Sequence, residues 1–480
     1  AQMRHASSKT FSLVSASLVA IGCVVLGPST IAGCGSSRTS GFDDGTGMDA
    51  GLFDEAGNPI FGDTGTGQKP GCVGLQCQQK DCGSGVSTTL SGTAFAPNGT
   101  LPLYNVIVYV PNTKLDPIPN GASCDKCGAQ VSGNPVVTTL TDAKGNFSLK
   151  NVPVGKDIPL VFQVGKWRRQ VTVPNVAECK ETKLTDPEMT RLPRNQSEGS
   201  IPKIAVTTGA CDPLGCILPK IGIDASEYGF GGDVDAKRVH LYTGTDDSLP
   251  APSPNNAPSA VPLWSDANKM KSYDIMLLNC ECNEHLESKP AAALAAMETY
   301  ANNGGRVFGS HYHYAWMQYG SAAFQSTAQW KGDGNAPSGG SPYKINTSFP
   351  KGQALADWLV AQGVTPAGAM PLNDVRQDVG AVTAATTTSW VTNSAASSTK
   401  YLSFNTPVGA PEAMQCGKVV HGDIHISASG GGGGSVIDDT FPAGCSKTLS
   451  AQEKALIFLF FDLSSCIQPD GQPPMPPPVK

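Results

Sequence analysis

Between Thr88 and about residue 190, apolar residues come in short runs: TTLSGTAFAP, LYNVIVYVP, VVTTLTDAKGNFSLKNVPVG and IPLVFQVGKWRRQVTVP. Runs rich in Val, Ile, Thr and Phe, parted by Gly, Pro and Asn turns, predict the strands of a β-sandwich. Tyr104, Val106, Val108 and Val110 alternate with Asn105, Ile107 and Tyr109, the pattern of a strand buried mostly on both faces. Asp142, Gly145 and Asn146 form a turn ahead of Phe147 and Leu149. From about residue 200 the rhythm changes. IPKIAVTTG, RVHLYTG and SYDIMLLNC read as strands, and DPLGCILPKIGI and AAALAAMETYANNGG as helices. RVFGSHYHYAW is a strand leaving a sharp bend, and a Gly-, Ser- and Pro-rich stretch after it reads as irregular. QALADWLVAQG (helix), KVVHGDIHIS (strand) and SAQEKALIFLFFDLSSC (helix) follow, with Ser450 and Glu453 set as a capping box. Alternating strands and helices predict an open α/β sheet, so the chain is multidomain.

The first residues carry a different signal. Arg4, His5 and Lys9 precede the uncharged FSLVSASLVAIGCVVLG and the small-residue string IAGC, which is a signal-peptide pattern. Residues 1–33 are then a leader, and 34–71 a Gly- and Asp-rich tether too polar to bury a core. Such a tether has an end-to-end distance on the order of 30–35 Å. The folded units are 72–190 and 200–466, with a Pro-rich tail at 467–480. Lys plus Arg total 34 against 40 Asp plus Glu, a net charge of −6, so no cationic surface is available and nucleic acid is not expected as a partner. Apart from the leader, no run approaches membrane-spanning length.

Of fifteen cysteines, Cys23 belongs to the leader and Cys34 to the IAGC string. The thirteen that remain are expected in disulfides, the default in an oxidising compartment. Cys72, Cys77 and Cys82 mark a domain edge, Cys124 and Cys127 form C-x-x-C, and Cys211 with Cys216 and Cys280 with Cys282 are close pairs. Spacing does not give connectivity, and C-x-x-C is also the form of half a zinc site. An odd number leaves one thiol free or paired between chains.

The string IAGC resembles a bacterial lipobox. That resemblance implies that Cys34 is acylated and anchors the protein in a lipid bilayer, and Gly35 after it implies the outer membrane or cell surface. Gly92 to Gly99 (G-x-x-x-x-P-x-G) and Thr141 to Gly155 (T-D-x-x-G-x-F-x-L-x-x-V-P-x-G) resemble the carboxypeptidase regulatory-like, transthyretin-like family. These domains present a neighbour rather than catalyse. Asp274 to Asn279, the glycine pair ending at Gly305, RVFGSH through His311, and Gly417 to His425 resemble the class I glutamine amidotransferase-like fold and, within it, the ThuA-like family. The fold implied is a flavodoxin-like open sheet. Amidotransferases put a nucleophilic cysteine after the strand where this chain has Gly309, Ser310 and His311, so the glutaminase nucleophile does not carry over. The layout as a whole is similar to that of large exported lipoproteins of the myxobacterial type.

His311 with His313, and His421 with His425 around Asp423, form two tight groups. Alternate residues on a strand share a face, so His421, Asp423 and His425 point together. Both strands would end where ligands bind in open sheets. The five residues make a candidate metal set, with zinc or another divalent transition metal as the cofactor. Glu281, Glu284 and His285 are candidate acids, bases or ligands, and Ser310 a candidate nucleophile, although GSHYH lacks the second glycine of a tight elbow. The same groups also read as hydrogen-bonded strand-end side chains packed by Tyr312, Tyr314 and Trp316. Lys166, Trp167, Arg168 and Arg169 read either as a ligand patch or as a solvated edge strand. The Gly430 to Gly434 run reads as a lid or a plain loop. The function expected is a cell-envelope lipoprotein whose ThuA-like domain binds, and modifies, a carbohydrate or other small polar ligand. The alternative is a non-catalytic envelope or adhesion protein with a degenerate amidotransferase-like domain.

Overall fold

A computed structural model describes residues 71–479 apart from 210, 232–235, 246–256, 333–342, 365–366, 394, 396, 427–444 and 446–447. The leader, Cys34, the tether up to residue 70 and the Gly430 to Gly434 run lie outside the described residues. Residues from Gly67 onward form one compact unit, and it is rich in β-sheet. Among the described residues no helix is long and apolar enough to cross a membrane.

Seven strands occupy the first part: β1 (Thr89–Thr93), β2 (Ile107–Pro111), β3 (Pro135–Leu140), β4 (Asn146–Lys150), β5 (Gly155–Val164), β6 (Trp167–Val176) and β7 (Glu181–Leu184). They pair as β4-β1-β7 and β3-β2-β5-β6. Leu90, Phe147 and Leu149 of the smaller sheet face Val108, Leu160 and Phe162 of the larger, with Phe147 edge-on to Phe162 at 5.6 Å. This is the sandwich that the alternating apolar runs predict.

Twelve further strands follow: β8 (Ile204–Thr207), β9 (Tyr228–Phe230), β10 (Val239–Tyr242), β11 (Ile275–Leu278), β12 (Arg306–Ser310), β13 (Ala328–Trp330), β14 (Tyr343–Ile345), β15 (Ala369–Met370), β16 (Val379–Val382), β17 (Thr387–Thr392), β18 (Thr399–Thr406) and β19 (Gly417–Gly422). Ten form one sheet in the order β15-β14-β17-β18-β19-β12-β11-β8-β10-β9. From β19 to β9 the pairings are parallel; from β19 outward to β15 they are antiparallel. Of the antiparallel half, β14 falls in the stretch that the sequence reads as irregular, whereas β15, β17 and β18 lie between QALADWLVAQG and KVVHGDIHIS, where the sequence reading names no element; in β17 and β18, Thr and Ser interrupt the apolar period. DPLGCILPKIGI is shorter in helix than expected: only Ile217–Lys220 is α-helical, since Pro219 supplies no N–H and Gly222, at φ 100°, turns the chain away.

The helix Ala451–Ser464 is buried almost throughout and has the capping box between Ser450 and Glu453. A helix apolar all round belongs inside a core, and this one lies between sandwich and sheet. Tyr104 stacks on Phe458 at 5.5 Å, and Trp167 meets Phe461 at 5.9 Å. The β5–β6 turn sits so close that a side chain on Gly165, at φ 51°, would run into the Ser464 carbonyl. The packing changes both readings of the Lys166–Arg169 patch. Trp167 is fully buried, Lys166 pairs with Asp274 at 2.6 Å, Arg168 donates to the Asp116 carbonyl, and half-buried Arg169 on the edge strand β6 donates to the Glu188 and Arg191 carbonyls.

Among the described residues six disulfides form: Cys72–Cys77, Cys82–Cys179, Cys124–Cys416, Cys127–Cys466, Cys211–Cys282 and Cys216–Cys445. Each cysteine of the C-x-x-C reaches far along the chain, so it is no half zinc site. The odd thiol among the described residues is Cys280, which is buried.

Candidate functional site

The parallel strands β8, β11, β12 and β19 are neighbours, so the residues just beyond them meet at one end of the sheet, where ligands bind in such sheets. Cys211 follows β8, Cys280 follows β11, His311 follows β12 and His425 follows β19. Gly209 lets the first two approach, because a side chain there would overlap the Cys280 carbonyl. Cys211–Cys282 then ties these strand ends together. His311 stands at φ 42°, the left-handed backbone of the sharp bend that the sequence predicts after RVFGS.

Three side chains converge. Cys280 Sγ lies 3.2 Å from His311 Nδ1 and 3.8 Å from His425 Nε2, and the two ring nitrogens are 2.8 Å apart. The segment around residues 374–378 runs beside the end of β19: Val375 bridges Ile424, and the His425 N–H donates to the Asp374 carbonyl at 3.0 Å. It brings two carboxylates, with Asp374 Oδ2 3.0 Å from His425 Nδ1 and Asp378 Oδ2 3.3 Å from His311 Nε2. Arg376 pairs with Asp374 at 3.0 Å.

Burial holds this centre neutral. It pushes the Cys280 thiol well above its usual range, with the Asp212 charge adding to the effect and the N–H groups of Cys282 and Tyr312 opposing it. Burial also drives the His311 imidazole far down, reinforced by His425 and Arg376. His425 is lowered too, mainly by burial, with Asp374 working the other way.

The candidates named from sequence fall into separate places. His311 and His425 meet. His313 is turned aside, its Nε2 2.6 Å from the Asn279 carbonyl and its Nδ1 accepting from Trp316 at 3.0 Å. His421 packs edge-on to Trp330 at 5.6 Å. Asp423, past the end of β19, pairs with buried Lys400 at 3.0 Å and accepts from the Asp378 N–H at 3.3 Å. Strand alternation stops at Gly422, so His421, Asp423 and His425 do not share one face, and the set of five does not converge.

Glu281 is buried against Lys289 at 2.7 Å, and Lys289 lies 5.2 Å from the Trp264 ring. Burial raises the Glu281 carboxyl, but the His313 and Lys289 charges outweigh it and leave it below its usual range. Glu284 accepts from Tyr314 at 2.5 Å and from Tyr319, and His285 contacts Glu287 at 2.8 Å. The Ser310 hydroxyl donates to the Leu278 carbonyl at 3.4 Å, a strand-end bond rather than a pairing with a base. Asp374 and Asp378 are not among the sequence candidates, and Cys280 is there only as half of a close pair with Cys282; the odd cysteine count is the one signal that a thiol is left over.

A cavity of about 400 Å³ opens elsewhere, between the CDKC loop, the β5–β6 turn and the C-terminal tail. Its cations are already engaged, Lys126 with the Glu412 and Gln415 carbonyls, Lys166 with Asp274 and Arg168 with the Asp116 carbonyl.

No family model and no curated protein matches the chain. Among solved structures it is similar to chains of a type II cohesin–X-dockerin complex from Acetivibrio cellulolyticus. For a C-terminal interface mutant the TM-score is 0.14 at 15% identity, covering 31% of this chain and 78% of that one. For an N-terminal interface mutant it is 0.16 at 15%, covering 28% and 85%. Likeness so slight carries nothing about fold or function.

Proposed function

We propose that the protein is a cell-envelope lipoprotein, anchored through acylated Cys34 at the outer membrane or cell surface, which binds and modifies a carbohydrate or other small polar ligand. The sandwich presents a ThuA-like, flavodoxin-like second domain whose strand ends form the ligand site. The observation that carries this reading is the meeting of Cys280, His311 and His425 beyond the parallel strands, beneath two carboxylates. The parallel order β10-β8-β11-β12-β19 supports the domain assignment.

The test is calorimetric titration of the full-length protein with a panel of glycans and small polyols. Binding that weakens at least tenfold in His425→Ala supports the reading, and uniform absence of binding defeats it. A second reading, the non-catalytic envelope or adhesion protein, is favoured by one fact: the Cys280 thiol is fully buried and held protonated, unlike an activated nucleophile. Ligand binding without turnover of any bound glycan would select it.

A further inference from the structure

His425 directs Nδ1 at the Asp374 carboxylate, which can only accept, so its ring proton sits there and Nε2 carries a lone pair. His311 Nε2 lies 3.3 Å from Asp378 Oδ2 with no hydrogen bond between them, and the tautomer protonated at Nε2 is the one that leaves a lone pair on Nδ1 for a metal. His311 Nδ1 and His425 Nε2 face each other at 2.8 Å, with a sulfur 3.2 Å and 3.8 Å away. Without an ion, a proton on His311 Nδ1 bridges the two nitrogens as a hydrogen bond, and a cation would take that proton's place. An ion bound tetrahedrally, with nitrogen at about 2.0–2.1 Å and sulfur at about 2.3 Å, holds its ligand atoms roughly 3.3–3.6 Å apart. The two nitrogen–sulfur distances bracket the required spacing, and the nitrogen–nitrogen distance would open by about 0.5 Å to admit the ion.

We propose that Cys280 Sγ, His311 Nδ1 and His425 Nε2 bind one divalent transition-metal ion of the zinc class, with Asp374 and Asp378 orienting the two imidazoles. The proposal rests on the reading of these strand ends as the ligand site, and it makes the ion's fourth position the point that a hydroxyl or carboxylate of the ligand would meet. On binding, the Cys280 S–H bond breaks, a metal–sulfur bond forms and one proton leaves. Both imidazoles enter neutral, and nothing is oxidised or reduced. The Cys211 sulfur also lies within 4.8 Å of the Cys280 and His425 donors, but its disulfide to Cys282 occupies it.

The test uses full-length protein made in an oxidising compartment, purified without metal resin and stripped with a chelator, then titrated with zinc alone and with cobalt(II) alone. The expected result is one equivalent bound, one proton released per ion, and a thiolate-to-cobalt charge-transfer band. Cys280→Ser should lose that band, and Asp374→Asn should weaken affinity about 10–100-fold. Absence of stoichiometric binding, or a band that persists in Cys280→Ser, overturns the proposal. Thermal unfolding of the stripped variants separates a lost ligand from a lost fold. If His425→Ala fails to fold, Cys280→Ser and Asp374→Asn still decide. Glycan binding by protein that takes up no metal would sink the metal site and spare the ligand reading; metal uptake with no glycan binding would do the reverse.

Discussion

The two ends of the same parallel strands are built on opposite rules. At the amino ends of β11, β12 and β19, charges are buried in matched sets. Lys351 and Lys418 share Asp462 and Asp470 at 2.5 to 3.3 Å, and Ser403 donates to Asp470 at 2.6 Å. Arg306 donates to the Cys416 and Ser465 carbonyls, Asp274 holds Lys166, and two disulfides clamp the sandwich onto this end. At the carboxyl ends, a thiol and two imidazoles crowd together in neutral form, with opposite charge held one layer further out. A satisfied ionic network makes a rigid floor, whereas the thiol and the two imidazoles at the other end contact one another and the carboxylates behind them. One framework thus carries both a mount and the candidate site.

The largest test of that contrast is Asp462→Ala, which leaves Lys351 and Lys418 to share Asp470 alone. Removing one partner from a buried ionic set costs about 3–5 kcal/mol, and the loss should be visible in urea denaturation. A change near zero would mean that the amino-end network is no floor at all.

Acid should act on the carboxyl ends before it reaches the connector that leads into the sheet. Burial lowers His421 from 6.5 to about 3, helped by the His313 and Lys400 charges and opposed by a Gly309 backbone hydrogen bond; burial also lowers His313 to about 4, with Glu281 opposing and Lys289 adding. The unfolded chain takes up protons that these folded imidazoles refuse. Their contribution is therefore complete above pH 6.5 and drains away as pH falls toward 4 and then 3. Glu198, in the connector between sandwich and sheet, is held by hydrogen bonds from Arg191 and drops from 4.5 to about 2. Its contribution stays whole down to pH 4.5 and is lost toward pH 2. Urea denaturation across pH should show His421→Leu flattening the profile between 6.5 and 4.5, and Glu198→Gln flattening it only below 4.5. Identical profiles would erase the distinction.

The smallest expected change in stability is Cys280→Ser, a near-isosteric swap worth about 1 kcal/mol. Calorimetric melting should register little while ligand or metal binding suffers greatly. A loss as large as that of Asp462→Ala would make the carboxyl end structural after all.

The sandwich was legible because its strands keep a period of two with turn residues between them, and the last helix because Ser450 and Glu453 cap a continuous apolar run. The strands β17 and β18 were hidden, since Thr and Ser fit a sheet and a loop alike, and β14 because three residues are too short to show a period. Of the candidate site, His311 and His425 were found by clustering and strand-end position. Asp374 and Asp378 were not, because neither lies in a periodic element and a bridge to Ile424 is what brings that segment alongside. Cys280 looked like half of a local pair with Cys282, and only the long-range choice of Cys211 as that cysteine's partner leaves it unoxidised.

Cys124 and Cys127 stand three residues apart, yet their mates Cys416 and Cys466 come 292 and 339 residues later. A chain that emerges amino end first must carry both sulfurs uncommitted through most of its synthesis, each with the other as its nearest wrong choice. Correct closure then serves as a receipt for a finished polypeptide. A product truncated before Cys416 closes neither ring, whereas one nicked between residues 128 and 415 stays riveted at both places and travels as a single molecule.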